Sequence, residues 1–175
     1  MTATSEDLQF LTESLPQLQA YLLSNELYWP LGANLPRLTV GALLLALARL
    51  EVSQPGAADG LRAQVDTVRV KWRSAWEQKV ARETANRLRL WTHFLSDLVS
   101  APEQNADAYP GEVRGRVILE LLLRELPTSP EKTALAEADA FLKARLLPAA
   151  FLWEAALQPA FPATEFWFLY GKPRI

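Results

Sequence analysis

Residues 61–99 read LRAQVDTVRVKWRSAWEQKVARETANRLRLWTHFLSDLV and contain neither proline nor glycine. Apolar or small residues recur along this segment at a mean spacing of about 3.7 residues, close to the helical repeat. The recurring positions are Leu61, Val65, Val68, Trp72, Trp76, Val80, Thr84, Leu88, Trp91, Leu95 and Leu98. This pattern predicts one uninterrupted helix of roughly 55 Å, which is longer than a compact domain of this size needs. Part of it is therefore expected to project or to pair with another subunit.

Five further helical segments are predicted from amphipathic runs bounded by capping residues, proline or glycine. In chain order they run from Ser5 to about Asn25, from about Pro36 to Val52, from about Glu112 to Leu126, from Ser129 to Leu147 and from Ala149 to Leu157. The second is apolar nearly all round, as expected for the most buried element of a bundle. Turns or loops are predicted over residues 28–34, 54–60 and 102–111.

The C-terminal segment contains the aromatic run Phe166 to Tyr170, which reads FWFLY. Leaving so much apolar surface in water is unfavourable, so the run is expected to dock as a short strand or an extended strap. The prediction is therefore an all-α, up-and-down bundle of five or six helices in one domain over residues 1–175. It has one long central helix, and residues 164–175 form an extended aromatic docking tail.

The composition of the chain excludes cysteine chemistry and indicates the compartment. The chain has 175 residues, no cysteine and a formal net charge of −2. The absence of cysteine removes disulfides and thiolate chemistry and fits a reducing compartment, so a cytoplasmic location is expected. The N-terminus lacks the basic start and apolar run of a secretory signal, and the longest apolar stretch, Leu38 to Ala48, is too short to span a bilayer. No membrane partner is expected.

His93 is the only histidine and stands four residues before Asp97. On a helix the two side chains can pair, which makes them candidates for a carboxylate-oriented general base or a polar group in a ligand pocket. A solvated pair on an exposed helix face explains the same spacing. With one histidine and no glycine-rich phosphate loop, the sequence predicts no metal site, no cofactor and no assembled catalytic residues.

Basic residues outnumber acidic ones along the long helix, and tryptophans are interleaved with them. Arg69, Arg73 and Lys79 are the candidates for binding nucleic acid or another polyanion. Many of these charges have an acidic residue four positions away, as on a helix that stabilises itself by ion pairs, and that reading is favoured. Nucleic acid is therefore a less favoured partner.

Four aromatic residues are candidates for lining one apolar ligand pocket. They are Tyr28 and Trp29 in a proline-containing loop, Trp153 beyond Pro148, and Trp167 in the tail. Large aromatic rings also seal the open end of a helical bundle, which explains the same residues without a ligand.

Surplus helix length and surplus apolar surface, in a chain without a recognisable reaction centre, favour a non-enzymatic interaction or scaffold module. The expected partner is a second copy of the chain or another helical protein. Polyanion binding by the long helix, and binding or enzymatic activity in a bundle pocket, remain the alternatives.

Overall fold

A computed structural model describes residues 3–32 and 34–174. Seven α-helices account for most of the described chain, and two short strands form a small antiparallel sheet. The helices are α1 (Ala3–Leu23), α2 (Val40–Ser53), α3 (Pro55–Lys71), α4 (Arg73–Ser100), α5 (Pro102–Asn105), α6 (Tyr109–Arg124) and α7 (Glu131–Lys143), and the strands are β1 (Leu146–Pro148) and β2 (Gly171–Pro173). The all-α prediction is confirmed. No helix in the described ranges is long and apolar enough to cross a bilayer.

The second helix, α2, lies at the centre of the bundle and packs against α1, α3, α4 and α6. Its residues are buried on nearly every side, as its apolar sequence predicts. Thr39 caps its N-terminus by accepting a hydrogen bond from the amide of Ala42. Gly41 is required for a close approach to α6, because a Cβ there would lie 2.3 Å from Cγ2 of Ile118.

The long central helix is present as α4, with 28 residues, but it is shorter than predicted. The segment 61–99 is not one helix: the backbone leaves helical geometry at Trp72, with φ −115° and ψ 40°. The break is one residue wide, because the amide of Trp72 still bonds to Val68 and the amide of Trp76 bonds to Trp72. The apolar periodicity therefore continues across the break, which is why the sequence pattern does not reveal it.

Two predicted loops are largely helical. Residue 54 alone separates α2 from α3, because Pro55 occupies the first turn of a helix, where its missing N–H costs nothing. The predicted turn over 54–60 is thus wrong. Within the predicted loop 102–111, α5 and a 3₁₀ turn (Ala106–Ala108) precede α6, which begins at Tyr109 instead of Glu112.

The helix predicted to run to Leu147 ends at Lys143, and the helix predicted over 149–157 does not form. Pro148 cannot donate a helical hydrogen bond, and the backbone turns to the tail instead. The amide of Ala149 donates to the carbonyl of Tyr170, and β1 pairs antiparallel with β2. A 3₁₀ turn (Ala155–Ala160) follows.

The aromatic tail is present and docks on its own chain. Phe166, Phe168 and Leu169 are buried, and residues 167–169 form a 3₁₀ turn rather than a fully extended strap. The hydroxyl of Tyr109 donates a hydrogen bond to the carbonyl of Phe168 at 2.8 Å. Docking thus removes from solvent the apolar surface that the sequence analysis regarded as surplus.

Candidate functional site

The predicted general base, His93 with Asp97, lies on an exposed face of α4. Their side chains are 75% and 48% exposed, and Nδ1 of His93 lies 3.1 Å from Oδ2 of Asp97. The pair therefore forms, but solvent surrounds it. This is the arrangement of a solvated helix pair, and it offers no enclosed site for proton transfer.

Tyr28 and Trp29 satisfy their polar atoms within the bundle. The Tyr28 hydroxyl donates to Oδ1 of Asn86 at 2.7 Å, and Nε1 of Trp29 donates to Oε1 of Gln17 at 2.8 Å. The Trp29 ring also meets the edge of Tyr21, with centroids 6.4 Å apart. These contacts hold residues 28–29 against α1 and α4.

Trp153 and Trp167 belong to the aromatic cluster of the C-terminal segment. Trp153 meets the ring of Phe161 edge-on at 5.2 Å and that of Phe151 at 6.5 Å. Trp167 lies beneath the Lys143 ammonium group, 4.7 Å from the ring centroid. Within the described residues no ring contact joins Tyr28 or Trp29 to this cluster, so the four aromatic candidates do not form one pocket.

The polyanion candidates are mostly neutralised by neighbouring acids. Arg69 forms an ion pair with Glu125 at 3.0 Å, and Arg73 pairs with Glu77 at 3.0 Å. Lys79 is only 2% exposed. A continuous, uncompensated basic surface through these three residues is therefore not formed.

Lys79 holds the C-terminal end of α1. Its ammonium group donates to the carbonyl of Glu26, lies 3.4 Å from Oγ of Ser24 and stands 4.5 Å above the ring of Tyr21. Burial, followed by the positive charge of Arg82, lowers the pKa of Lys79. Its contacts are those of a structural residue.

Glu83 is a buried carboxylate on α4. Glu83 is 0% exposed; Oε2 accepts from the amide of Gly41 at 2.8 Å and Oε1 from Nε of Arg87 at 2.6 Å. Arg87 also reaches Oγ1 of Thr39, at 3.4 Å. A negative charge at the N-terminus of α2 is favoured by the helix dipole, and Arg87 compensates its burial.

A second ion pair links α1 to α2. Nε of Arg49 donates to one carboxylate oxygen of Asp7 at 2.8 Å, and NH2 of Arg49 donates to the other at 2.7 Å. Burial raises the pKa of Asp7, and the Arg49 guanidinium opposes this shift. Both oxygens of Asp7 are thus engaged by one arginine.

Arg114, on α6, is positively charged and has no hydrogen bond or ion pair to any other part of the described chain. Burial between the helices, followed by the Arg87 and Arg49 guanidinium groups, lowers its pKa. Its surface is still exposed, so a ligand can reach it. The carboxylates of Asp7 and Glu83 oppose the lowering of its pKa through space. Unlike Arg49 and Arg87, however, Arg114 forms no hydrogen bond or ion pair with a carboxylate of the described residues.

Three cavities meet at Arg114, and we call them together the Arg114 groove. One, of about 210 Å³, lies between α1 and α2. A second, of about 200 Å³, lies beside Leu90 and Trp91. The third, of about 400 Å³, is lined by Arg49, Pro110, Gly111, Arg114, Leu152, Trp153, Glu154 and Leu157. The groove therefore combines apolar walls with a guanidinium group at its centre.

Gly111 and Gly115 leave room on either side of Arg114. A Cβ at either position would meet no atom within 4 Å. Glycine within a helix is unfavourable relative to alanine by about 0.5–1 kcal/mol. Packing therefore does not require a glycine at either position. The missing side chains keep the space beside Arg114 open.

Sequence reasoning identified Trp153 but missed Asp7, Arg49 and Arg114. They come from three separate segments, and only the packing of α1, α2 and α6 brings them together. The signal available was the stretch Gly111 to Gly115, where an arginine stands between two helical glycines.

Within the described ranges, no group of three or more histidine, cysteine, aspartate or glutamate side chains is arranged to hold a metal ion. Comparison of the chain with protein-family profiles, with curated proteins and with solved structures gave no match.

Proposed function

We propose that this chain is a small-molecule-binding domain whose ligand occupies the Arg114 groove. The observation that carries the proposal is an accessible guanidinium, without a hydrogen-bond or ion-pair partner among residues 3–32 and 34–174, at the meeting point of three cavities. Ligand sites in proteins are typically concave and mostly apolar, with a few polar groups that fix orientation. The groove has both components.

The largest of the three cavities is the main seat of the proposed ligand. Its volume of about 400 Å³ falls within the range of about 300–1,000 Å³ typical of small-molecule sites. Leu152, Trp153 and Leu157 provide apolar surface, which contributes about 25 cal/mol for each Å² removed from water. Arg49 and Arg114 supply the polar side.

Self-association stays a prediction, and the folded structure supports it less than the sequence pattern does. Self-association was expected because the long helix exceeded what the domain needs and the tail exposed apolar surface. In the structure, the helix is broken at Trp72 and the tail packs on its own chain. The exposed large apolar residues come from four different elements: Leu23 on α1, Val70 on α3, Leu90 and Val99 on α4, and Leu147 on β1. A cytoplasmic location also stays a prediction.

Thermal-shift screening against a panel of acidic, neutral and basic small molecules tests the proposal. A ligand that binds only the folded state at 100 times its dissociation constant stabilises it by about 2.7 kcal/mol, a rise of about 5–10 °C in the melting temperature. The Gly111→Leu variant should abolish this rise, because Gly111 lines two of the three cavities and a leucine side chain there would obstruct both beside Arg114.

Gly56→Leu is the matched control. Gly56 also follows a proline in the first turn of a helix, and a Cβ there also meets open space. It should retain the full ligand response. A panel without hits, or hits unaffected by Gly111→Leu, would contradict binding in the groove.

A further inference from the structure

We infer that the ligand of the Arg114 groove is an aromatic monocarboxylate, with its carboxylate on Arg114 and its ring system against Trp153. This inference rests on the proposed function and specifies the chemistry of the ligand. It depends on three observations: the charges that surround Arg114, the shape of its guanidinium group, and the residues that line the largest of the three cavities in the groove.

Arg114 is the guanidinium of this cluster that lacks a hydrogen-bonded carboxylate among the described residues. Arg49 is engaged by both oxygens of Asp7, and Arg87 is engaged by the buried Glu83. Asp7 and Glu83 also attract Arg114 electrostatically, but neither forms a hydrogen bond or an ion pair with it. The carboxylate of a ligand would supply the hydrogen-bonded anion that Arg114 lacks in this partly desolvated place.

Three exposed carboxylates stand around the groove and disfavour a more highly charged ligand. Glu6, Glu112 and Glu154 each line one of the cavities, and within the described residues none of them forms an ion pair with Arg114. Each negative charge on a ligand meets their repulsion, so a dianion such as a phosphate monoester is disfavoured more strongly than a monocarboxylate.

The donor group itself favours a carboxylate. The guanidinium of arginine presents parallel N–H donors in a planar fork that matches the two oxygens of a carboxylate. Arg114 uses none of these donors for another described residue. Arg49 lines the same cavity and, of its terminal nitrogens, uses NH2 for Asp7.

The apolar residues that line the same cavity as these arginines suit an aromatic ligand. Trp153 is held by edge-on contacts with Phe161 and Phe151, so it is positioned by its neighbours. Aromatic pairs gain affinity beyond the area they bury when one ring is offset or edge-on to the other. Leu152 and Leu157 complete an apolar surface beside it.

Isothermal titration calorimetry with three related probes tests the inference. Naphthylacetate carries the carboxylate, naphthylacetamide is its neutral counterpart, and naphthyl phosphate is its doubly charged counterpart. Naphthylacetate should bind about 10-fold or more tightly than the amide, as expected for a charge-assisted hydrogen bond. It should also bind more tightly than the phosphate.

Arg114→Gln should remove the preference for the acid while leaving the affinity for the amide unchanged. Because Arg114 forms no hydrogen bond or ion pair with the described part of the chain, the variant should melt close to the parent chain. Arg89→Gln, at an exposed arginine on α4, is the control and should leave all three affinities unchanged.

The possible failures are distinguishable. If none of the probes binds and the wider thermal-shift panel is also silent, the proposed function itself is overturned. If naphthylacetamide binds as tightly as naphthylacetate, or Arg114→Gln keeps the preference, the groove binds ligands but the assignment of the carboxylate is wrong. Tighter binding of naphthyl phosphate would overturn the charge argument.

Discussion

Replacing Gly41 by alanine should strongly destabilise the fold, although alanine is normally the better helix residue. The added Cβ would lie 2.3 Å from Cγ2 of Ile118 and 2.5 Å from Oε1 of Glu83. An ordinary contact begins near 3.4 Å, so α2 and α6 must separate by about 1 Å. That movement also pulls the Gly41 amide from the carboxylate it bonds to at 2.8 Å.

The expected change in the free energy of unfolding combines two destabilising effects with one stabilising effect. Overpacking costs about 1–3 kcal/mol, and weakening a hydrogen bond to a buried charged group costs about 1.5–3 kcal/mol. The higher helix propensity of alanine offsets about 0.5–1 kcal/mol of this destabilisation. The net loss is about 3 kcal/mol, which lowers the melting temperature of a chain this long by about 6–12 °C.

Gly115→Ala is the control, since it makes the same change on α6 where nothing lies within 4 Å of the new Cβ. It should stabilise the chain by about 0.5–1 kcal/mol. Circular dichroism melts and urea titrations of the two variants measure both effects. If Gly41→Ala melts at or above the parent, α2 and α6 do not approach as closely as described and Glu83 does not cap α2.

Three further predictions concern buried polar groups and the tail. Glu83→Ala leaves the largely buried guanidinium of Arg87 and the helix amide of Gly41 without their acceptor, so urea titration should show a loss of about 3–5 kcal/mol, and a loss below 1 kcal/mol would contradict the network around Glu83. Tyr109→Phe leaves the buried carbonyl of Phe168 without its donor and should cost about 1–3 kcal/mol, with an unchanged melting temperature as the opposing result. Because burial raises the folded-state pKa of Asp7 above 3.8, the parent should lose stability relative to Asp7→Asn as the pH rises from 3.8 through that pKa; a parent that gains stability relative to the variant over this range would contradict the raised pKa.

The helical architecture could be predicted because local patterns determine most of it. The apolar periodicity of α4 and the all-round apolar character of α2 mark these helices as central without knowledge of the tertiary structure. The break at Trp72 could not be predicted, because neither proline nor glycine marks it and the apolar stripe continues through it.

The C-terminal segment shows the limit of local patterns more clearly. Residues 149–157 have a helix-compatible composition, yet the amides of Ala149 and Leu152 bond to carbonyls of the tail. Those partners lie about twenty residues further along the chain. Pairing over that distance is a tertiary interaction, and tertiary context overrides local helix propensity.

The candidate site was harder to predict than the fold because its charged residues differ only in their partners. Arg49, Arg87 and Arg114 are indistinguishable by type, and helical spacing explains only the pairing of Arg87 with Glu83. Asp7 engages Arg49 from a different helix. Of the three, Arg114 is the one that forms no ion pair within the described residues, and this follows from the packing of α1, α2, α4 and α6.

The most direct test of the central claim is a proton–nitrogen correlation spectrum of the arginine Nε–H groups during titration with naphthylacetate. The Arg114 signal is identified by its loss in Arg114→Gln. This signal should move progressively and saturate, while that of Arg89 stays in place. An Arg114 signal that does not respond at saturating ligand would contradict the claim that this guanidinium receives the acid group of a ligand.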